Sequence, residues 1–310
     1  MRKGYVYTIS IILFLGVLLA LIGFTNNITS SPLSTRLVTM NDFLSDFEAD
    51  AQRAVFIAGF RSFIALEQEI AMSGEFFSDV SEPFIEAFIN GTINGEFQPL
   101  LVDATFGEYL ERVQQQARQS GMIFDATLQE ASLRHTSPWE IMVTYTLNIE
   151  LEDVSQTIRW NYDETFSAPI NIFDLQDPLY SVGTENKAPN TIRLFTQQNF
   201  VHQTTNDTTI LQLHLNESSY RPSTNAPSFL QRFEGNTSAH EYGIQSLVDL
   251  ERLSAQGIPV FTDRSLVDYL YFFTPNSANW CNIQNMPEFF KIDDTNRIFY
   301  QLENLEASPC

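Results

Sequence analysis

The chain has 310 residues, 44% hydrophobic and 18% charged, which is enough apolar side chain for a sizeable core and too orderly a balance for wholesale disorder. Its 38 acidic and 17 basic side chains leave a net charge of −21, with three lysines among the bases; that excludes a general phosphate-binding surface, and with it nucleic acid as a partner. Two cysteines, Cys281 and Cys310, exclude a multi-bridge disulfide scaffold and a multi-thiolate metal site.

Residues 5–24 contain no charged side chain. At about 1.5 Å per helical residue they measure about 30 Å, the thickness of a bilayer core, so the lipid bilayer is the first partner the sequence predicts. Arg2 and Lys3 precede this run and the next base is Arg36, which places the stub 1–4 in the cytoplasm and the bulk of the chain outside it. A cleaved secretory signal would have a shorter apolar region ending in a small-x-small site. The polar stretch 25–35, with Pro32 inside it, is read as a linker.

The domain 36–175 follows. Leu37, Met40, Leu44, Phe47, Ala51, Ala54 and Ala58 recur at steps of three and four, one face of a helix that Gly74 would close. The nearly unbroken apolar run Ala54–Leu66 is expected to be buried on several sides, leaving Arg61 to extend its guanidinium to the surface or meet a carboxylate. A second helix is predicted from Asp79 or Ser81 to Asn90, and a third from Asp103 to Ser120. Strict alternation at Ile141, Val143, Tyr145, Leu147, Ile149 and Leu151, repeated at Ile158, Trp160, Tyr162 and Phe166, predicts half-buried strands. With a strand over Ile123–Leu133 they form an antiparallel meander, and helices on one face of it define an α+β fold. The domain 176–310 is loop-rich; Ser228–Phe233 and Ile244–Leu253 read as helical, and Ser265–Phe273 as strand or helix.

Nucleotide-loop, nucleophile-elbow, zincin and C-x-x-C motifs are missing, so no catalytic, cofactor or metal residue is assigned. The four histidines lack metal-ligand spacing. Asp42, Asp46 and Asp50 line one helix face, read as solvated in preference to a cation site. Asp293-Asp294 reads as an exposed acidic turn. Sequons occur at Asn27, Asn90, Asn206, Asn216 and Asn236, candidate N-glycosylation sites on the outer side. A Cys281–Cys310 disulfide is a candidate there too, against the alternative of two free thiols.

Met1-Arg2-Lys3-Gly4 before the apolar run resembles the class III leader of archaeal type IV pilin-like proteins, which implies cleavage between Gly4 and Tyr5. The sequence departs from that pattern at Ile9, where pilins carry glutamate, and in its polar stretch, where their helix continues unbroken. Gly4-Tyr5-Val6-Tyr7, Asp177-Pro178-Leu179-Tyr180, Ala226-Pro227-Ser228-Phe229-Leu230, Gly243-Ile244, Val267-Asp268-Tyr269 and Met286-Pro287-Glu288-Phe289-Phe290 together resemble a group of archaeal membrane-anchored surface proteins with such a leader. The resemblance implies an extracytoplasmic place in the envelope and transfers no catalytic residue. The expected function is therefore a non-enzymatic anchored protein in cell-surface assembly or adhesion, with envelope or pilus-like proteins as partners. The alternatives are a pilin-like or secretion-associated subunit and an anchored hydrolase using a carboxylate pair.

Overall fold

The computed structural model describes residue 14 and residues 33–202, 204–274 and 279–307. Apart from residue 14, the apolar run 5–24 lies outside the described residues, as do most of the polar stretch, Gly4, Asn27 and Cys310. Among the described residues no helix is long and apolar enough to cross a membrane. The fold is α+β, helices with antiparallel sheet.

Helix α1 (Leu33–Ser73) has 41 residues. Its described part already lies, at Leu33–Thr35, inside the stretch read as linker, and there Thr39 Oγ1 donates to the Thr35 carbonyl at 3.0 Å. Gly74, at φ 71°, ends it by donating its N–H to the Ile70 carbonyl at 2.8 Å, a conformation glycine adopts without steric cost. Helix α2 (Ser81–Asn90) stops the same way at Gly91, and α3 (Phe106–Gln119) starts three residues later than the sequence suggests. There Glu108 accepts from the backbone N–H groups of Asp103 and Thr105, holding those residues as a cap instead of a helical turn. Strands β1 (Thr92–Ile93) and β2 (Glu96–Phe97) form a small hairpin between α2 and α3. Strands β3 (Met122–Ser137), β4 (Glu140–Asp153) and β5 (Arg159–Asn171) make the expected meander, in the order β3-β4-β5.

The chain divides into two compact units that interleave in sequence. The described part of the first lies within Met1–Asp50, Val113–Asp125 and Ile149–Tyr162. Here Met40, Leu44 and Phe47 are buried as predicted, with Phe124 5.7 Å from Phe43 and 5.0 Å from Phe47 between ring centroids. Leu37 is 47% exposed, off the buried stripe. The β4–β5 turn closes on Asp153. Its carboxylate accepts from Ser155 Oγ, the backbone N–H groups of Thr157 and Ile158, and Arg36 Nη1. The bonds from Ser155, first, and from Ile158 and Thr157 hold its pKa well below the usual carboxylate range.

The second unit is Ala51–Arg112, Ala126–Asn148 and Asp163–Cys310, so far as described. Its sheet core is aromatic: Phe63, Phe84, Phe88, Phe106, Tyr145 and Phe166 follow one another at centroid distances of 4.7–6.0 Å. Ile141, Val143, Tyr145 and Leu147 are all buried, and the opposite face is tied by Thr144–Ser167, Thr146–Thr165 and Asn148–Asp163 hydrogen bonds across β4 and β5. Helix α1 packs so closely here that a Cβ on Gly59 would stand 2.5 Å from Ile170 Cδ1. The run Ala54–Leu66 buries Val55, Ala58, Phe63, Ala65 and Leu66 and leaves Phe56 and Ile57 about half exposed. Arg61 is exposed too, donating to the Leu100 carbonyl at 3.3 Å.

Short elements fill the rest: α4 (Pro178–Gly183), α5 (Thr209–Glu217), β6 (Arg221–Pro222), α6 (Phe229–Phe233), β7 (Ile244–Gln245), α7 (Leu250–Ala255), α8 (Asp268–Phe273), β8 (Trp280–Asn282), β9 (Lys291–Asp293) and α9 (Asp294–Phe299). Ile244–Leu253 is therefore not one helix. Ile244 pairs with Pro222 in β6–β7, and α7 begins only where Asp249 accepts from the N–H groups of Glu251 and Arg252. Ser265–Phe273 resolves as helix from Asp268 onward.

Candidate functional site

The strongest concentration of polar chemistry is buried in the second unit. Asp177 caps α4 by accepting from Leu179 N–H at 2.9 Å, and its other oxygen accepts from Tyr220 Oη at 2.7 Å and from Arg232 Nη1 at 2.5 Å. The same Nη1 donates to Asp268 Oδ2 at 3.0 Å, which also accepts from the Ser246 N–H and hydroxyl, each at 3.1 Å. Arg232 Nη2 donates to the Ile244 carbonyl. Arg232 sits on α6 because Ser228 and Gln231 form a reciprocal capping box that fixes this short helix. All three ionic side chains are fully buried.

One guanidinium between two carboxylates leaves an excess of one negative charge in a sealed place, and such a charge costs several kcal/mol unless it is neutralised. Burial pushes the Asp268 carboxyl up, against the pull of Arg232. Burial alone would weaken the Arg232 charge, yet the two carboxylates more than offset it and hold the guanidinium above its ordinary value. Burial, then the Asp177 charge, likewise pushes up Tyr220. Glu67 of α1 is 8% exposed and accepts from Gln176 N–H at 3.0 Å; burial pushes its carboxyl well up, with the Asp177 charge adding to it. Asp177 and Asp268 are thus a carboxylate pair bridged by Arg232, and both are fully buried.

The residues singled out in the sequence lie elsewhere. Asn90, Asn206, Asn216 and Asn236 are all exposed, and Asn236 Oδ1 accepts from Ser238 N–H at 3.0 Å. Cys281 is disulfide-bonded and fully buried, and Cys310 lies outside the described residues. Asp42, Asp46 and Asp50 stand on the solvated face of α1. Asp293, expected in an exposed turn, is buried, because it caps α9 by accepting from Asn296 N–H and also takes the Ser265 hydroxyl bond. His214 is fully buried against Phe195 at 4.4 Å, and burial takes its pKa down to about 3. His135 lies 5.9 Å from His240 between centroids, with its pKa lowered to about 4, chiefly by burial. Among the described residues no group of three or more His, Cys, Asp or Glu could hold a metal.

Sequence reasoning passed over Arg232, Asp177 and Asp268 as ionic partners. The available signal was a lone charge within an apolar stretch: Arg232 beside Phe229, Leu230 and Phe233, and Asp268 inside Leu266-Val267-Asp268-Tyr269-Leu270. No protein-family model, curated protein or solved structure matches the chain.

Proposed function

We propose that the chain is a non-enzymatic, single-pass membrane protein whose head stands on the extracytoplasmic side and acts in cell-surface assembly or adhesion. The observation that carries this reading is the bonded state of Cys281, since disulfides persist outside the cytoplasm. The exposed sequons are accessible to a glycosylating enzyme, and the Asp177–Asp268 pair is fully buried. The reading is tested on native membranes: after denaturation Cys281 should resist alkylation until a reductant is added, and peptides carrying Asn90, Asn206, Asn216 or Asn236 should show added glycan mass. A reduced Cys281 in freshly isolated membranes would refute the location. Turnover of envelope glycans, peptides or lipids by the purified head, lost on substituting one carboxylate, would refute the non-enzymatic part.

A second reading, a pilin-like or secretion-associated subunit processed after Gly4, is favoured by the start of α1. The helix is already formed at Leu33, so the polar interruption is shorter than the sequence suggests, and it continues to Ser73. Mass spectrometry of the mature N-terminus separates the two. A chain beginning at Tyr5 supports the processed subunit; one beginning at Met1 leaves a fixed anchor.

A further inference from the structure

At one end of the first unit three chain segments meet: the first turns of α1, the α3–β3 turn and the β4–β5 turn. Arg36 Nη1 ties them by donating to Asp153 Oδ2 at 3.0 Å and to Ser155 Oγ at 2.6 Å, and Val154 N–H donates to the Gly121 carbonyl at 3.3 Å. Between them is a cavity of about 280 Å³ lined by Thr35, Arg36, Thr39, Met40, Met122 and Val154, among others. The segments that frame it carry exposed aliphatic side chains: Leu33 at 61%, Leu37 at 47%, Val38 at 56%, Ile123 at 48% and Val154 at 63%. These five exposed aliphatic side chains, with the exposed polar Ser120, Ser155, Gln156 and Thr157 on the same turns, give this end a mixed apolar and polar character of the kind that suits a membrane interface.

The position of the apolar run in the sequence says what lies near that end. Leu33 follows Phe24, the last residue of the apolar run, by nine positions. That distance is about 14 Å if helical and at most about 30 Å if extended. The charges agree: Arg36, the first base after Lys3, is matched by Asp153, and the acidic face of α1 starts only at Asp42.

We infer that this apolar end is a platform that rests in the interface of the bilayer holding the anchor, with Leu33, Leu37, Val38, Ile123 and Val154 among the lipid headgroups. The inference rests on the anchored reading above. The tether keeps the platform next to lipid, so modest apolar contact suffices to hold it there.

The test uses the full chain in phosphatidylcholine vesicles, with a fluorophore on Val154→Cys or, as a control within the same unit, on Asp46→Cys. Quenching by a nitroxide at headgroup level is expected to be about threefold stronger at position 154 than at 46. A dye can enter lipid by itself. The Leu33→Ser, Leu37→Ser, Val38→Ser background is therefore included, and it should cut quenching at 154 about twofold while the chain still floats with the vesicles. Equal quenching at the two positions, or quenching at 154 indifferent to the triple substitution, overturns the platform and leaves the anchor standing. Energy transfer between labels at 154 without nitroxide quenching assigns the face to a second copy and overturns it as well. A chain that does not float with the vesicles overturns the anchor and the platform together.

Discussion

Replacing Glu67 by glutamine should make the protein more stable, and increasingly so as the pH rises. Glu67 is 8% exposed, and its one described hydrogen bond is accepted from Gln176 N–H, a bond the glutamine oxygen can keep. Burial raises its pKa well above the ordinary 4.5, so the folded state holds the proton that the unfolded chain gives up. The stability associated with that proton is full below pH 4.5 and is lost at about 1.4 kcal/mol per pH unit above it, until the folded pKa is passed. If the proton is retained to pH 7, the accumulated loss is about 3.5 kcal/mol. Denaturant unfolding followed by tryptophan fluorescence, on wild type and Glu67→Gln at pH 5 and pH 7, measures it as a difference, so other titrating groups cancel. The expected result is near-equal stability at pH 5 and a more stable variant at pH 7. Parallel stabilities at both pH values would refute the claim that this carboxyl is held protonated.

Arg232→Met should destabilise by about 3–5 kcal/mol, because it strands two buried carboxylates; adding Asp268→Asn, which removes one of them, should recover part of the loss in the same unfolding assay. Gly59→Ala should cost about 1–3 kcal/mol by overpacking, and Ile170→Val, which deletes the Cδ1 atom it would strike, should relieve it in a double-mutant cycle. His214, buried neutral with a pKa near 3, loses stability for the fold as the pH falls from about 6.5 toward 3; His214→Phe should flatten that acid limb of the stability curve. Cys281→Ala should lower the midpoint of thermal unfolding under oxidising conditions, and reductant should then have no further effect on the variant.

Regular periodicity carried the sequence reading a long way. Alternation in β4 identified every inward residue from Ile141 to Leu151, and glycines 74, 91 and 121 marked where three helices end. The reading failed where a local hydrogen bond overrides hydropathy: Glu108 capping before α3, Asp249 delaying α7, Asp293 turned inward to hold α9. Along Ala54–Leu66 an apolar run did not say which residues stay out: Phe56, stacked on Phe60 at 6.3 Å, and Ile57 are about half exposed. The Arg232 network was illegible for a different reason. Its members lie 55 and 36 positions apart, and no spacing rule links residues joined only by tertiary closure.

The three-way clamp around Arg232 has a consequence for synthesis. As the chain is delivered N-terminus first, Arg232 can meet Asp177 long before Asp268 arrives, so any product cut short before residue 268 keeps an incomplete clamp in what should be dry interior. The segments between the clamp's members can vary only where they neither reach it, as Ile244 and Ser246 do, nor enter the core, as Leu211, Leu247 and Leu266 do.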